Sequence, residues 1–464
     1  YNVIAPTKKR RGMTTAKNIL KKLLDVKDAV IEGVEMNTAS NGVMTMVVDL
    51  RLRKGLRCRC PFCNDSHRLP KYDTRPTLSI WRDLDFGGVL VKLRMQRNRI
   101  KCPIHGVVSE SVPWAYSDST FTKRFDMTVA WMARQLNRSA IADYMRIDWK
   151  TVGRCVSRAR QDLEPDIKRR LDNLHQIGID ETSYKRGHKY ITVVVNHETN
   201  TVVWMSDGHG KEVLTRFFED MTPEQRQCIQ IVTGDGARWI DDCMDYIPQA
   251  TRCIDAFHVV QWAMDALDEV RRETWHDALA EYKELDSKRV KGKGRPKKDD
   301  AAAQKAKAAK KRASEIKGST YALGKAPEHL TENQRLRCQM IEANYPRLFR
   351  AYCLKEELRL IMKETVPGRA LTYLNQWFWR ATHSRIPAFR ELGHKIRRHQ
   401  KHILDTIRMH MSNARIEATN NKIKVVIRRS YGFRNLENMF DLVFLCCSNL
   451  RIPLPNRPEV VQAL

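Results

Sequence analysis

No apolar run in this chain is long enough to cross a membrane. A span needs about 18 or more consecutive apolar residues. The longest stretch, Met439 to Cys447, is about half that and carries Asp441, so it reads as a buried helix. The first residues lack the apolar segment of a secretory signal, and internal repeats are absent. The twelve cysteines are scattered, with no disulfide framework. Together these absences exclude a membrane partner and predict a reducing, cytoplasmic setting. Acid is also in short supply. Lys and Arg outnumber Asp and Glu by 83 to 54, a net charge of +29 and a pI near 9.8. An excess of that size favours a polyanionic partner, because each neutralised phosphate releases counterions. What is present is ordinary globular material: 464 residues, 42% hydrophobic and 30% charged, enough for about three domains.

The periodicity changes along the chain. A helix is predicted near Ala16 to Val30, then short alternating strands between Leu50 and Val112, such as Leu90 to Met95. Helical spacing follows from Phe125 to Leu171. Gln176 to Val195 reads as a hairpin turning at Arg186-Gly187, and Thr201 to Met205 as a third strand. A helix (Glu212 to Glu219), a strand (Ile229 to Val232), a helix (Trp239 to Tyr246) and a strand (Thr251 to Ile254) come next. Three hairpin-like strands followed by alternation imply a mixed sheet covered by helices. After His258 the pattern is helical to the end. Residues 287 to 317 are crowded with Lys, Arg and Ala, and read as a flexible basic arm or a helix that orders on DNA.

Three constellations carry chemistry. Cys60-Pro-Phe-Cys63 and Cys102-Pro-Ile-His105 are two knuckles about forty residues apart. Two such knuckles form the closed four-ligand site that structural Zn²⁺ prefers, with Cys58 and His67 as alternative ligands. Arg138 to Met145 and Trp149 to Arg160, joined at Arg146-Ile-Asp148, form a helix-turn-helix pattern. Ile141, Ala142, Met145, Ile147, Val152 and Val156 supply its core. Lys150, Thr151, Arg154, Ser157 and Arg158 face outward, a basic face suited to the major groove. Finally, Asp180 and Asp235 each sit at the end of an apolar strand, and paired acids are what a hard divalent cation needs. At 100° per residue, Glu417, Asn421, Lys424 and Arg428 share one helical face, while Ile416, Ile423, Val426 and Ile427 occupy another.

The ordered set resembles the DDE transposases of the ISL-three insertion-sequence family. The matching pieces are Gly178-Ile-Asp180-Glu-Thr-Ser, Gly234-Asp235-Gly-Ala-Arg-Trp, Asp255-Ala-Phe-His258-Val, and Asn413-Ala-Arg-Ile-Glu417-Ala-Thr-Asn-Asn-Lys-Ile-Lys424 continuing to Arg428-Arg-Ser-Tyr-Gly-Phe433. One departure is Ala418, where glycine is expected.

The resemblance covers about residues 15 to 450. It implies a multidomain α+β protein: a basic segment (1–49), a zinc-ribbon domain (50–115), a helix-turn-helix domain (116–172), and an RNase-H-like α/β catalytic domain (173–262 and 405–452). A helical insertion with the basic arm (263–404) interrupts the catalytic domain, and a tail (453–464) ends the chain. It further implies that Asp180, Asp235 and Glu417 bind two Mg²⁺ (or Mn²⁺) ions about 4 Å apart for in-line displacement at phosphorus. Structural Zn²⁺ sits at the knuckles. Asn421, Lys424 and Arg428 contact phosphate, with His258 as an auxiliary. The implied partners are double-stranded DNA, both transposon ends and target, and a second copy of the chain on paired ends, within the bacterial nucleoid. A non-catalytic zinc and helix-turn-helix regulator, or a nuclease that does not join, are the competing functions.

Overall fold

The computed structural model describes residues 16–26, 28–63, 67–288, 300–411 and 414–454. Expectations for residues 1–15, 289–299 of the basic arm, 455–464 of the tail, Ser412 and Asn413 fall outside them. Two compact units result: residues 1–167 with 425–464, and residues 168–424. The division falls inside one helix, Ala414–Arg429.

The first unit begins with α1 (Ala16–Leu23), which ends well before Val30 because Asp25 adopts a left-handed φ of +52°. β1 (Ala29–Thr38) and β2 (Met44–Leu52) follow as long antiparallel strands. They pair onward with β5 (Leu90–Met95) and β4 (Ser79–Arg82) in the order β1-β2-β5-β4. The alternation Met46, Val48, Leu50, Leu52 drives this pairing, since every second side chain turns into one core with Trp81, Leu93 and Trp114. Residues 29–49, read from sequence as a basic leading segment, therefore belong to the same sheet as Leu90–Met95. A separate three-stranded sheet holds β3 (Lys71–Thr74), β6 (Asn98–Cys102) and β7 (Gly106–Ser109).

Helices α2 (Lys123–Ala133), α3 (Arg138–Met145) and α4 (Trp149–Leu163) complete the unit together with α17 (Leu436–Cys447). Asn137 caps α3, accepting from the Ala140 amide at 2.9 Å. Asp148 caps α4 through the Lys150 amide at 2.8 Å. The predicted shared core is buried, with Ile147 half-buried. Asp441, the polar residue in the most apolar stretch, forms an ion pair with Arg160 of α4 at 2.6 Å. The sequence reading grouped 405–452 with the catalytic domain, whereas residues from Val425 onward cluster with this first unit.

The second unit is built on a five-stranded sheet: β8 (Gln176–Lys185), β9 (Lys189–Asn196), β10 (Thr201–Asp207), β11 (Ile231–Gly234) and β12 (Thr251–Ile254), in the order β10-β9-β8-β11-β12. The first three are antiparallel, and β8, β11 and β12 run parallel. The near-continuous apolar runs Ile191 to Val195 and Ile231 to Val232 suit strands covered on both faces. Helices α5 (Lys211–Glu219), α6 (Pro223–Cys228) and α7 (Arg238–Asp241) connect them. The expected helix over Trp239 to Tyr246 is instead the short α7 and a single 3-10 turn at Met244–Tyr246.

A helical body follows: α8 (Ala256–Ser287), α9 (Ala301–Lys317), α10 (Thr320–Gly324), α11 (Glu332–Asn344), α12 (Pro346–Ile361), α13 (Pro367–Thr382), α14 (Pro387–Arg398), α15 (Gln400–Arg408) and α16 (Ala414–Arg429). Trp377 is fully buried there, its indole N–H donating to the Leu354 carbonyl at 2.8 Å. That makes it a core residue, while Trp379 is exposed and stacked on His383. The described part of the basic arm is ordered as α9. Ala306, Ala309, Ala313 and Ile316 form a small-residue stripe that buries against α8 and lets the two backbones approach closely. Among the described residues no helix is long and apolar enough to cross a membrane.

Candidate active site and nucleic-acid interface

The acidic site grows from strand register. Gly178 of β8 is opposite Thr233 of β11, and Gly234 of β11 is opposite Ile254 of β12. Continuing each register one or two residues sets Asp180, Asp235 and Asp255 in a row across neighbouring strands about 4.8 Å apart. Asp235 and Asp255 follow the carboxyl ends of β11 and β12, and Asp180 lies just past the point where the parallel pairing of β8 stops, the edge at which open α/β sheets bind ligands. Asp180 is not at the end of its own strand, as the sequence suggested: β8 runs on to Lys185. The antiparallel partner β9 supports those extra residues after the parallel pairing has stopped.

Each acid is tied down locally. Asp180 Oδ1 accepts from the Glu181 amide at 2.7 Å, Asp235 Oδ1 from the Ala237 amide at 2.9 Å, and Asp255 Oδ1 from the Phe257 amide at 2.8 Å. Asp255 thereby caps α8. The buried Arg252 guanidinium donates to the Asp235 carbonyl and to Asp241 Oδ1, the latter at 3.2 Å. Burial pushes the Asp180 carboxyl above the usual carboxylate range, and Asp235 and Asp255 push it further. The Glu181 amide and His258 oppose the rise. Burial raises Glu181 as well. His258 Nε2 lies 3.8 Å from Asp255 Oδ2.

Glu417 is exposed on α16. One turn further on, the buried Asn420 donates its side-chain N–H to Asp180 Oδ2, while its Oδ1 is buried without a partner. The helical face that carries Glu417 points to Asn421, which is exposed, and leaves out Asn420. The signal was available, since Asn420 falls on the helical wheel between the acid stripe and the apolar stripe. Asn421, Lys424 and Arg428 are exposed as expected, and Ile423, Val426 and Ile427 are buried. The side chain of Ile416 lies outside the described residues. Among the described residues, Asp180, Asp235 and Glu417 do not form one of the tight groups whose ligand atoms all lie within 4.8 Å of each other.

Cys60, Cys63, Cys102 and His105 do form such a group. β6 ends at Cys102, and Gly106, with φ +68°, makes the turn that brings His105 back over it. Cys63 Sγ lies 3.6 Å from Cys102 Sγ and 3.4 Å from His105 Nδ1. Cys60 and Cys102 Sγ are each 3.6 Å from that nitrogen. A tetrahedral ion with bonds of about 2.3 Å to sulfur and about 2.0 Å to nitrogen has edges of about 3.8 and 3.5 Å, so the donor set fits one without rearrangement. Backbone N–H groups of His105 and Ile104 help lower the Cys102 thiol to about 6, and a hydrogen bond to Cys102 pushes Cys63 up to about 12. Cys58 and His67 are not in the group. Cys58 turns away at φ +63° and donates its backbone N–H to Glu110.

The outward face of α4 is narrower than the sequence suggested. Lys150 and Arg154 are exposed and Ser157 is half-buried, but Thr151 and Arg158 are buried. Arg158 makes a two-pronged pair with the fully buried Asp126 of α2, Nε to Oδ2 at 2.8 Å and Nη2 to Oδ1 at 3.0 Å. The correction has a simple cause: α2 and α17 both pack on α4, so one helical pair alone does not define its free face.

Comparison with known proteins identifies relatives of the chain. A family model described as a transposase matches residues 177–443, and one described as the helix-turn-helix domain of transposase family ISL3 matches residues 110–159. The chain is 39% identical over 442 residues to the transposase for insertion sequence element IS1557 of Mycobacterium tuberculosis, covering 94% of this chain and 97% of that protein. It is 26% identical over 366 residues to the transposase for IS1001 of Bordetella parapertussis, covering 77% and 82%. With its sheet of strand-end acids and its helix-turn-helix, the chain belongs to the ISL3 family of insertion-sequence transposases.

Proposed function

We propose that this transposase cuts and joins DNA by two-metal phosphoryl transfer on an RNase-H-like domain, with Asp180, Asp235 and Glu417 as ligands of Mg²⁺ or Mn²⁺. The observation that carries the reading is the Asn420–Asp180 hydrogen bond. Residues three apart on a helix have Cβ atoms about 5–6 Å apart, so Glu417 belongs to the turn of α16 beside the strand-end acids. The donor set fits a hard cation: it is all oxygen, and burial, with the neighbouring Asp235 and Asp255 charges, raises the Asp180 carboxyl. Bound there, the ions supply activation of water or a 3′-hydroxyl and stabilisation of the leaving oxygen. A two-ion clamp spreads its acids, so the trio need not gather around one point.

The protein residues do the rest. Asn420 orients the Asp180 carboxylate, and the Ala237 amide holds Asp235 in its loop. Asn421, Lys424 and Arg428, exposed on α16, contact phosphates, and His258 contacts a phosphate beside Asp255. Lys150 and Arg154 present the basic face of α4 to the major groove of the terminal repeats. Cys60, Cys63, Cys102 and His105 hold structural Zn²⁺. The strand order, three antiparallel followed by two parallel, supports the RNase-H-like assignment. Two copies of the chain on paired ends complete the assembly, acting in the bacterial cytoplasm on nucleoid DNA.

A strand-transfer assay with a pre-cleaved terminal repeat in Mg²⁺ tests this. Joined product is expected, with Glu417→Gln reducing both cleavage and joining by ~10²–10³-fold or more, the loss of several kcal/mol of charge stabilisation. Cleavage without joining would replace the reading with a nuclease, and full activity of Glu417→Gln would remove Glu417 from the site.

A further inference from the structure

Among the described residues, a second group besides the knuckle has metal-ligand geometry: Asp241 of α7 with His399 and His402 at the start of α15. One ligand atom from each lies within 4.8 Å of the other two, and His402 Nδ1 is 4.0 Å from Asp241 Oδ1. We propose that these residues form a binding site for one divalent transition ion, distinct from the carboxylate site at the strand ends.

Four observations support it. The His399-x-x-His402 spacing puts both imidazoles on one side of the first turn of α15, with ring centroids 6.1 Å apart. His402 Nδ1 is buried and has no hydrogen-bond partner, although its ring points toward a carboxylate. That distance is too long for a hydrogen bond, yet an ion bridging the pair would use both atoms. The surroundings are also rigid. Trp262 packs against His399 at 5.7 Å between centroids, and a Cβ at Gly236 would meet the same indole at 2.5 Å. Lys395 Nζ covers its ring at 3.7 Å. Finally, α15 is already anchored to the sheet by Thr406 Oγ1, which donates to the Ile254 carbonyl at 2.7 Å.

Two imidazoles and one carboxylate make a borderline donor set. It suits Zn²⁺, Mn²⁺ or Co²⁺ over Mg²⁺, which prefers oxygen and keeps its waters. Bonds of about 2.0–2.2 Å require ligand atoms about 3–3.5 Å apart, so atoms that now lie within 4.8 Å of one another would draw in on an ion. Arg252 opposes a cation here, because it donates to Asp241 Oδ1. Its charge is, however, also shared with the carbonyls of Gly234, Asp235 and Cys253. An ion at this place clips the helical body to α7 and so to the loop that carries Asp235.

Co²⁺ titration of the full chain in excess Mg²⁺ decides the matter, since Mg²⁺ fills the oxygen-only site. Two tightly held Co²⁺ per chain are expected, of which one shows sulfur-to-metal charge transfer from the knuckle and one does not. His402→Ala should retain the charge-transfer ion and lose the other. His399→Gln, a change at a half-exposed ring, serves as a second variant should the first fail to fold. A single bound Co²⁺ in the unaltered chain that carries the charge-transfer band overturns the proposal whatever the variants do, and so does an unchanged count of two in both variants. Loss of the charge-transfer band alone would count against the zinc knuckle and leave this site standing.

Discussion

Arg158 offers the sharpest separation between a residue that binds DNA and one that holds the fold. Its sequence position on the outward arc of a recognition helix predicts a phosphate contact. In the structure it is only 8% exposed and paired through two hydrogen bonds to Asp126, which is 0% exposed and also accepts from Ser119 Oγ at 3.2 Å. Removing one partner of a buried, hydrogen-bonded ion pair strands the other charge and costs about 3–5 kcal/mol, a large share of the ~5–15 kcal/mol that holds a typical domain. At a urea dependence of about 2 kcal/mol/M, Asp126→Asn or Arg158→Met should each lower the midpoint of the first unit's transition by about 2 M. The double change Asp126→Leu/Arg158→Met should recover most of that loss, because neither charge remains. Lys150→Ala and Arg154→Ala, by contrast, should stay within about 0.5 kcal/mol of the parent. Each should instead reduce the salt dependence of DNA binding by about one counterion. Urea unfolding and salt-dependent binding to a terminal-repeat duplex measure both arms. An Arg158→Met variant of unchanged midpoint whose salt slope falls by one would refute the reasoning and return Arg158 to the DNA surface.

Other outcomes follow from the same geometry. Asn420→Ala removes the donor that orients Asp180 and should slow strand cleavage by about 10–100-fold, as loss of supporting partners around a metal site does, with DNA affinity unchanged in a filter-binding measurement. Gly236→Ala drives a Cβ into Trp262; overpacking should cost about 1–3 kcal/mol in thermal unfolding, and the shifted Asp235 loop should lower cleavage further than that destabilisation explains. Stripping the knuckle with a strong chelator should expose residues around Cys60 to Cys102 to limited proteolysis while the second unit keeps its protection, because structural zinc supplies folding energy outright. Lys355 is buried against Glu356, which Arg359 also holds at 2.7 Å. Lys355→Met should therefore be neutral or stabilising by about 1–4 kcal/mol in urea unfolding, since Glu356 keeps a partner and one desolvated charge is gone.

The sequence disclosed most wherever the chemistry is local. Cys-x2-Cys and Cys-x2-His fix which sulfurs and nitrogen can meet, because each knuckle is a single turn. The strands at 176–195, 201–205 and 251–254 were visible as apolar runs between turn residues, and the buried stripe of Ile423, Val426 and Ile427 followed from helical period. Asp235 was legible as a strand-end residue and Asp180 as an acid on a strand, though not at its end, while their row was not legible, since it depends on which strands are neighbours and in what register.

Residues 29–52 pair first with each other as a hairpin, and the place of that hairpin in a larger sheet depends on β5, about forty residues further on, which nothing near it in the chain announces. Asn420 was passed over for its neighbour because its role exists only against Asp180, 240 positions away.

The amino-acid order by itself thus determined the knuckle ligands, the helix and strand periods, the basic charge and the set of candidate acids, all properties that a few bonds or one helical turn decide. Tertiary structure alone decided which face of α4 is free, that α9 packs on α8 through alanines, that Asn420 holds Asp180, and that Asp241, His399 and His402 converge. The physical reason is that side-chain exposure and long-range pairing are settled by what packs from elsewhere in the chain. α4 is enclosed by α2 and α17, the latter nearly three hundred residues distant, and no local pattern encodes that enclosure.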